Sequence, residues 1–119
     1  MNFFKRIFTR KKKGTADEIV KLAVIQDFSL PERASHTEPL TVLVQGYFSH
    51  LGWQLAEASA VVKKDEIILQ VLGKMKAGMM AAQAIKPFDL KIEVENLKPG
   101  TYKVRAKKGT TKELEVVID

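Results

Sequence analysis

The chain has 119 residues, 45% of them hydrophobic, which is long enough for one domain with a core of ordinary size. It contains no cysteine, which excludes disulfide and thiolate chemistry and is compatible with a reducing cytosol. No apolar run approaches the roughly 20 residues that a membrane-spanning helix needs. We therefore expect a single domain, located in the cytoplasm, without a transmembrane segment.

The net charge of +6 comes from the first 13 residues, which contain six basic residues and no acidic one. Subtracting these six from the 20 basic residues of the chain leaves 14, which equals the number of acidic residues. The remainder is therefore neutral, and nucleic-acid binding by the whole domain is not expected. The composition changes at Gly14, so we divide the chain into a basic aromatic tail, residues 1–14, and a domain, residues 15–119.

The tail has the pattern of a short amphipathic helix. Drawn as a helix, its apolar residues fall within an arc of about 140°. Most of the cations lie around the rest of the circumference, and one intrudes into the apolar arc. The apolar residues are Phe3, Phe4, Ile7 and Phe8, and the cations are Lys5, Arg6, Arg10, Lys11, Lys12 and Lys13.

This pattern is typical of a helix that lies on an anionic membrane, here the inner face. A frayed, solvated terminus is the alternative, and nucleic-acid binding through the tail is a further one. Cations interrupt any apolar segment of a secretory signal, so we expect no signal peptide.

Residues 19–28 are rich in β-branched side chains and predict a first strand. A helix that begins with the capping box from Thr15 to Glu18 is the competing interpretation. Ser29 to Pro39 follows as a polar connector. Leu40 to Phe48 then alternates as a strand, and Gly46, in phase with its inward face, indicates a bulge or a close approach.

Trp53 is interpreted as a core residue rather than a platform on which a ligand stacks. Residues 60–62 and 67–71 predict a hairpin around a charged turn at 63–65. The uninterrupted apolar run from Ile67 to Leu69 indicates a strand covered on both faces, or one that presents a residue to a partner.

Gly73 to Lys86 carries mixed signals, and we expect strand or irregular structure there. Met75, Met79 and Met80 have the thioether chemistry of Cu(I) ligands. Flexible core filling is the commoner role of methionine, so no metal or other cofactor is expected.

The last 34 residues alternate with the period of β-strands and predict three strands in succession. In the final hairpin, pairing Arg105 with Glu113 and Lys103 with Glu115 places opposite charges on the solvent face. The inward residues of the three strands are Leu90, Ile92 and Val94, then Tyr102, Val104 and Ala106, then Leu114, Val116 and Ile118.

The turn between the first two of these strands carries Leu97, Pro99, Gly100, Tyr102 and Val104. This run resembles the tyrosine corner of immunoglobulin-like and fibronectin-type-III-like sandwiches. The resemblance implies that the tyrosine ring packs inward while its hydroxyl bonds to upstream main chain. It implies an all-β, antiparallel, immunoglobulin-like sandwich of about seven strands and says little about function.

Catalytic motifs are missing from the sequence. His36 and His50 do not have a metal-binding spacing, and no nucleophile elbow, phosphate loop or dinucleotide fingerprint occurs. We therefore do not expect an enzyme. The sequence favours a non-catalytic protein-interaction module with an unknown protein partner. The alternative is a carbohydrate or cell-envelope binding module, whose aromatic platform would have to be Tyr47, Phe48 and Trp53.

Overall fold

The computed structural model describes residues 18–78 and 82–119. This part of the chain consists of β-strands, turns and irregular segments, without a helix. The predicted all-β class is therefore confirmed. The strands are β1 Glu18–Leu22, β2 Val24–Ser29, β3 Arg33–Ala34, β4 Leu40–Phe48, β5 Gln54–Lys63, β6 Glu66–Lys76, β7 Lys86–Val94, β8 Gly100–Ala106 and β9 Glu113–Ile118.

The strands form two sheets that pack as a sandwich. A three-stranded sheet has the order β2-β4-β7, and a six-stranded sheet has the order β1-β6-β8-β9-β3, with β5 also paired to β6. β5 pairs with one side of β6. On the other side, β8 pairs with residues 66–69 and β1 pairs with residues 72–76. The central strand of the larger sheet is therefore β6.

The predicted sandwich is observed, and it differs from the prediction in two details. The described residues form nine strands rather than about seven, and the pairings β6 with β8 and β3 with β9 are parallel rather than antiparallel. Parallel neighbours need a crossover connection. Between β6 and β8 this crossover is β7, which lies in the opposite sheet.

The predicted first strand over residues 19–28 is two strands. It divides at Ala23, so that β1 pairs with β6 in the larger sheet and β2 pairs with β4 in the smaller one. The amide of Ala23 donates to the carbonyl of Val71, 2.8 Å away, at the crossing point. The competing helix is wrong from Glu18 onward, and the polar connector contains the short strand β3.

The strand predicted at Leu40 to Phe48 is confirmed with both of its boundaries. A Cβ atom on Gly46 would overlap the carbonyl oxygen of Val24, so the position requires glycine for close approach. The bulge lies in the partner strand, between Ile25 and Asp27. The close approach predicted at Gly46 is therefore confirmed, whereas the bulge is in β2 and not in β4.

The core lies between the sheets and includes Ile67 and Leu69, both with no exposed surface. Ile68 points to the opposite face of β6 and is only 7% exposed. Both faces of β6 are therefore covered at this point, which is the first of the two alternatives for the apolar run. The largest fully buried side chains are Phe28, Ile25, Leu40, Ile67 and Leu69.

The final hairpin has the predicted register. Lys103 faces Glu115 and Arg105 faces Glu113, with Val104 opposite Leu114 on the inner side. The guanidinium of Arg105 nevertheless reaches across to β6, where its Nη2 lies 3.8 Å from Oε1 of Glu66.

The turn before β8 is braced by Tyr102. Its ring is 8% exposed, and its hydroxyl donates to the carbonyl oxygen of Lys98 at 2.8 Å. Leu97 is buried beside it, and Gly100 has a φ of 153°. This hydrogen bond fixes the turn to the start of the strand that it precedes.

In the segment from Gly73 to Lys86, β6 continues to Lys76 and β7 begins at Lys86. Residues 82–85 are irregular. Met75 is half-buried and packs against the core, as expected for core filling. Met79 and Met80 lie outside the described residues.

Candidate functional site

The tail residues predicted to contact a membrane or an anionic partner, residues 3–13, lie outside the described part of the chain. The structure does describe the end of the sandwich from which the tail departs. There β1 begins at Glu18, which faces Lys76 at the end of β6. We call this the tail-side end.

Two exposed apolar side chains lie in the loops of the tail-side end. The turn at residues 49–53 and the segment 82–85 are joined by a hydrogen bond from the amide of Leu51 to the carbonyl of Ala82, at 3.2 Å. Leu51 is 47% exposed and Ile85 is 59% exposed. Apolar side chains this exposed on neighbouring loops are available for contact with a surface.

Lysines surround these loops. Lys74 and Lys76 are at the end of β6, and Lys86 begins β7. The Nζ of Lys86 donates to the carbonyl oxygen of Trp53 at 2.8 Å, which fixes its position between the two loops. Acidic Glu18 lies opposite Lys76 at this end. Among the described residues, the tail-side end therefore combines apolar loops with more lysines than acids.

A cleft of about 320 Å³ opens beside these loops, where the chain passes from β1 to β2. Phe48, Trp53 and Met75 line it with apolar surface, and Lys21 and Lys108 contribute ammonium groups. None of the described residues that line it is acidic. Such a lining can hold an anion or an apolar group, and the imidazole of His50 also lines it.

Trp53 is a core residue, as predicted. It is 6% exposed, and its Nε1 donates to the Oγ of Ser49 at 3.2 Å. Phe48 is 5% exposed and Tyr47 is half-buried. Of the three aromatic residues proposed for sugar stacking, two are thus withdrawn into the core.

His36 and His50 lie apart in the structure, and each has a local hydrogen-bond partner. The Nδ1 of exposed His36 lies 2.7 Å from the main-chain oxygen of Asp119, while the Nδ1 of His50 accepts from the amide of Gly52. Residues 18–78 and 82–119 contain no cluster of three potential metal ligands.

The pKa of Asp27 is lowered, chiefly by its hydrogen bond from Lys112 and secondly by the amide of Phe28. Asp27 lies on the surface, where this contact joins the two sheets. We interpret it as a structural contact, because the group that lowers the pKa is a lysine of the segment before β9, whose ammonium also binds the carbonyl oxygen of Phe28.

Two edge strands lie on the side of the sandwich away from the contact between Asp27 and Lys112. Among the described residues, β5 pairs with β6 alone and β7 pairs with β4 alone, so each forms the edge of its sheet. A groove of about 270 Å³ separates them, between residues 58–62 and residues 93–96. We call the unpaired side of β5 the β5 edge.

The hydrogen bonds of β6 show which main-chain groups lie on the β5 edge. The amides of Lys103 and Lys107 donate to the carbonyls of Asp65 and Leu69. Odd-numbered residues of β6 therefore face β8, and even-numbered ones face β5.

Lys63, Val61 and Ser59 are opposite even-numbered β6 residues, so their main-chain groups are directed toward β6. The N–H and C=O groups of Ala58, Ala60 and Val62 are consequently directed to the unpaired side.

The two edges differ in their protection against pairing. β7 carries Lys86, Pro87, Asp89 and Lys91, of the kinds that discourage the addition of another strand. Residues 58–62 of β5 read Ala-Ser-Ala-Val-Val, without charge or proline. Residues 60–62 were predicted as a strand of a hairpin, but the edge position of this strand was not predicted. The uncharged run between Glu57 and Lys63 is the sequence signal that could have indicated it.

Glu57 has an unsatisfied atom near this edge. Its Oε2 accepts from the hydroxyl of Ser59 at 2.7 Å. Its Oε1 is buried and has no hydrogen-bond partner among the described residues. A buried carboxylate oxygen without a donor is costly, so a donor brought by a partner would relieve it.

No helix in the described residues is long and apolar enough to cross a bilayer. Comparisons with curated proteins and with solved structures gave no match. The family model of the ORF11 beta-sandwich domain matches residues 42–116, which is more than half of the chain and extends from β4 into β9. The chain therefore belongs to the ORF11 beta-sandwich domain family.

Proposed function

We propose that this protein is a non-catalytic protein-interaction module held at an anionic membrane surface by its tail. The observation that carries the membrane part is the location of Leu51 and Ile85, both exposed at the end from which the tail departs. The protein-binding part is supported by the unprotected β5 edge on another side of the sandwich.

The energetics favour weak, reversible membrane binding. Each cation near an anionic surface contributes about 1 kcal/mol, and each buried phenylalanine contributes about 1.5 to 3 kcal/mol. Ordering the tail opposes this by about 1 to 2 kcal/mol for each residue. Leu51 and Ile85 belong to loops that are already folded, so their burial adds affinity without that ordering cost.

Sedimentation with vesicles tests the membrane part. We expect the full chain to sediment with vesicles rich in phosphatidylserine, less at high salt, and residues 15–119 to sediment much less. The double variant Leu51→Ser and Ile85→Ser should bind several-fold more weakly. Leu43→Ser is the matched control, because Leu43 is 44% exposed on β4, away from the loops of the tail-side end.

Equal sedimentation of the full chain and residues 15–119, with circular dichroism showing both folded, would disprove the role of the tail. Equal effects of the Leu43 variant and the loop variant would disprove the role of the tail-side end. Steeply salt-dependent binding to nucleic acid without preference for vesicles would support the nucleic-acid alternative instead.

The protein-binding part is tested by blocking the β5 edge. Ala60→Pro removes an N–H directed away from β6, so the β5–β6 pairing keeps its hydrogen bonds. We expect a partner retained by the immobilised wild-type chain to be lost with this variant. Retention of every partner by a folded Ala60→Pro chain would contradict binding through this edge.

Kinship with immunoglobulin-like sandwiches is a finer proposal. The hydrogen bond from Tyr102 to Lys98 supports it, while the parallel pairing of β6 with β8 differs from the antiparallel sheets of that fold. The carbohydrate alternative is weaker, because burial of Phe48 and Trp53 leaves Tyr47 without a second aromatic partner for stacking.

A further inference from the structure

We propose that two copies of this chain associate by pairing their β5 strands antiparallel about a two-fold axis at Ala60. This inference rests on the proposed protein-interaction role and names the partner as a second copy. The resulting interface is isologous, since the same strand is used on both sides, and it joins the two larger sheets into one continuous sheet.

The free main-chain groups select the axis. With the axis at Ala60, that residue faces its own copy, and Ala58 faces Val62 of the second copy. All of these residues direct their N–H and C=O groups to the β5 edge, so each facing pair can exchange two hydrogen bonds.

Other registers use fewer of these groups. An axis at Ala58 runs the pairing into the irregular register between Leu55 and Glu57. An axis at Val62 runs it into the turn that follows Lys63. An axis at Ser59 pairs Ala58 with Ala60 but sets Val62 against Ala56 in the irregular region. An axis at Val61 pairs Ala60 with Val62 but sets Ala58 against Lys64 in the turn. The axis at Ala60 alone engages Ala58, Ala60 and Val62 together.

The charges select the same axis independently. With the axis at Ala60, Glu57 of each copy faces Lys63 of the other, which gives two opposite-charge pairs related by symmetry. An axis at Ala58 would instead set Glu57 against Ser59, and an axis at Val62 would set Lys63 against Val61. The lysine would also bring a donor to the carboxylate of Glu57, whose Oε1 has no partner among the described residues.

The side chains are compatible with close pairing. Small residues face β-branched ones, Ala58 against Val62 and Ser59 against Val61. The side chain of Val62 is on the same face of β5 as buried Ala60, but it is 39% exposed in the single chain. Pairing would cover it with Ala58 of the second copy, which gives an apolar contribution in addition to the hydrogen bonds.

Analytical ultracentrifugation of the full chain over a range of concentrations tests the proposal. We expect the wild-type chain to dimerise reversibly. Glu57→Lys and Lys63→Glu should each weaken the dimer about tenfold or more, because each places like charges opposite one another twice. An equimolar mixture of these two variants should dimerise as strongly as wild type, since every facing pair is then of opposite charge.

Lys91→Glu is the control, because it changes the charge of an exposed β7 residue that faces β4 rather than the β5 edge. Ala60→Pro should abolish dimerisation while circular dichroism shows a folded chain.

A wild-type chain that stays monomeric into the millimolar range would overturn the inference. So would a dimer that is insensitive to both charge reversals, or a mixture no stronger than either variant alone. If the wild type is monomeric but Ala60→Pro still loses another captured protein, the second copy is excluded as the partner while the interaction role stands.

Discussion

The Nζ of Lys112 lies 2.7 Å from Oδ1 of Asp27 and 2.8 Å from the carbonyl oxygen of Phe28, and so joins the segment before β9 to the edge strand β2 of the opposite sheet. Close by, the amide of Ile25 donates to the carbonyl of Lys108, and the amide of Thr110 donates to the carbonyl of Ile25. This side of the sandwich is therefore closed by direct bonds between the sheets, in contrast to the β5 edge.

The ion pair predicts an acid-dependent part of the stability. Lys112 lowers the pKa of Asp27 in the folded chain, so the unfolded chain binds a proton more readily. The stabilisation is fully present above the ordinary aspartate pKa of about 4 and is lost as the pH falls through the lowered, folded value.

We expect Asp27→Asn to be less stable than wild type at neutral pH, with a difference that shrinks in acid. Urea unfolding at a series of pH values measures this difference. Asp89→Asn is the control, since Asp89 is an exposed β7 carboxylate with no ion pair among the described residues. A difference between Asp27→Asn and wild type that does not change with pH would contradict the role of the ion pair.

Tyr102→Phe should lower the free energy of unfolding by about 1 kcal/mol, which is typical for the loss of one hydrogen bond within a protein. The hydroxyl donates to a main-chain oxygen, so the side chain of Lys98 is not required. Lys98→Ala is therefore the matched control and should leave stability nearly unchanged. Denaturant titration distinguishes the two, and an unaffected Tyr102→Phe variant would show that the hydroxyl does not stabilise the turn.

Gly109→Ala should destabilise the chain strongly. Its φ is 117°, and a Cβ atom there would overlap the main chain of Ile25. Gly109 pairs with Ile25 through an isolated bridge, which connects the segment before β9 to β2 of the other sheet. Moving main chain in a packed sandwich costs about 1 to 3 kcal/mol, in addition to about 1 kcal/mol for the unfavourable φ.

Gly100→Ala is the comparison, because Gly100 has a φ of 153° but no atom within 4 Å of the added Cβ. We expect thermal unfolding to show a much larger loss at position 109 than at position 100. Equal losses would mean that close approach to Ile25 contributes nothing.

The local pattern of the sequence predicted those features that depend on alternation within one strand or hairpin. The boundaries of β4 and the pairing of Lys103 with Glu115 belong to this class. The break at Ala23 escaped prediction, because a strand that changes sheets keeps its β-branched composition on both sides of the break. The parallel pairing of β6 with β8 depends on residues far apart in sequence, and so does the edge position of β5.

In the candidate site too, local features could be predicted and features that depend on contacts between distant segments could not. Burial of Trp53 could be predicted because an isolated bulky aromatic residue in a small sandwich has its best environment in the core. The exposure of Leu51 and Ile85 could not be predicted, because it depends on two loops that meet only in the folded chain.

Trp53 provides the last prediction, since it is the single tryptophan of the chain and is 6% exposed. The neutral quencher acrylamide should quench its fluorescence weakly in the folded chain and strongly after unfolding in urea. A soluble cell-envelope oligosaccharide should leave the emission unchanged, because the indole ring faces the core and its Nε1 is already bonded to Ser49. Saturable changes in emission on adding such a sugar, without unfolding, would revive the carbohydrate alternative and show that the ring is accessible.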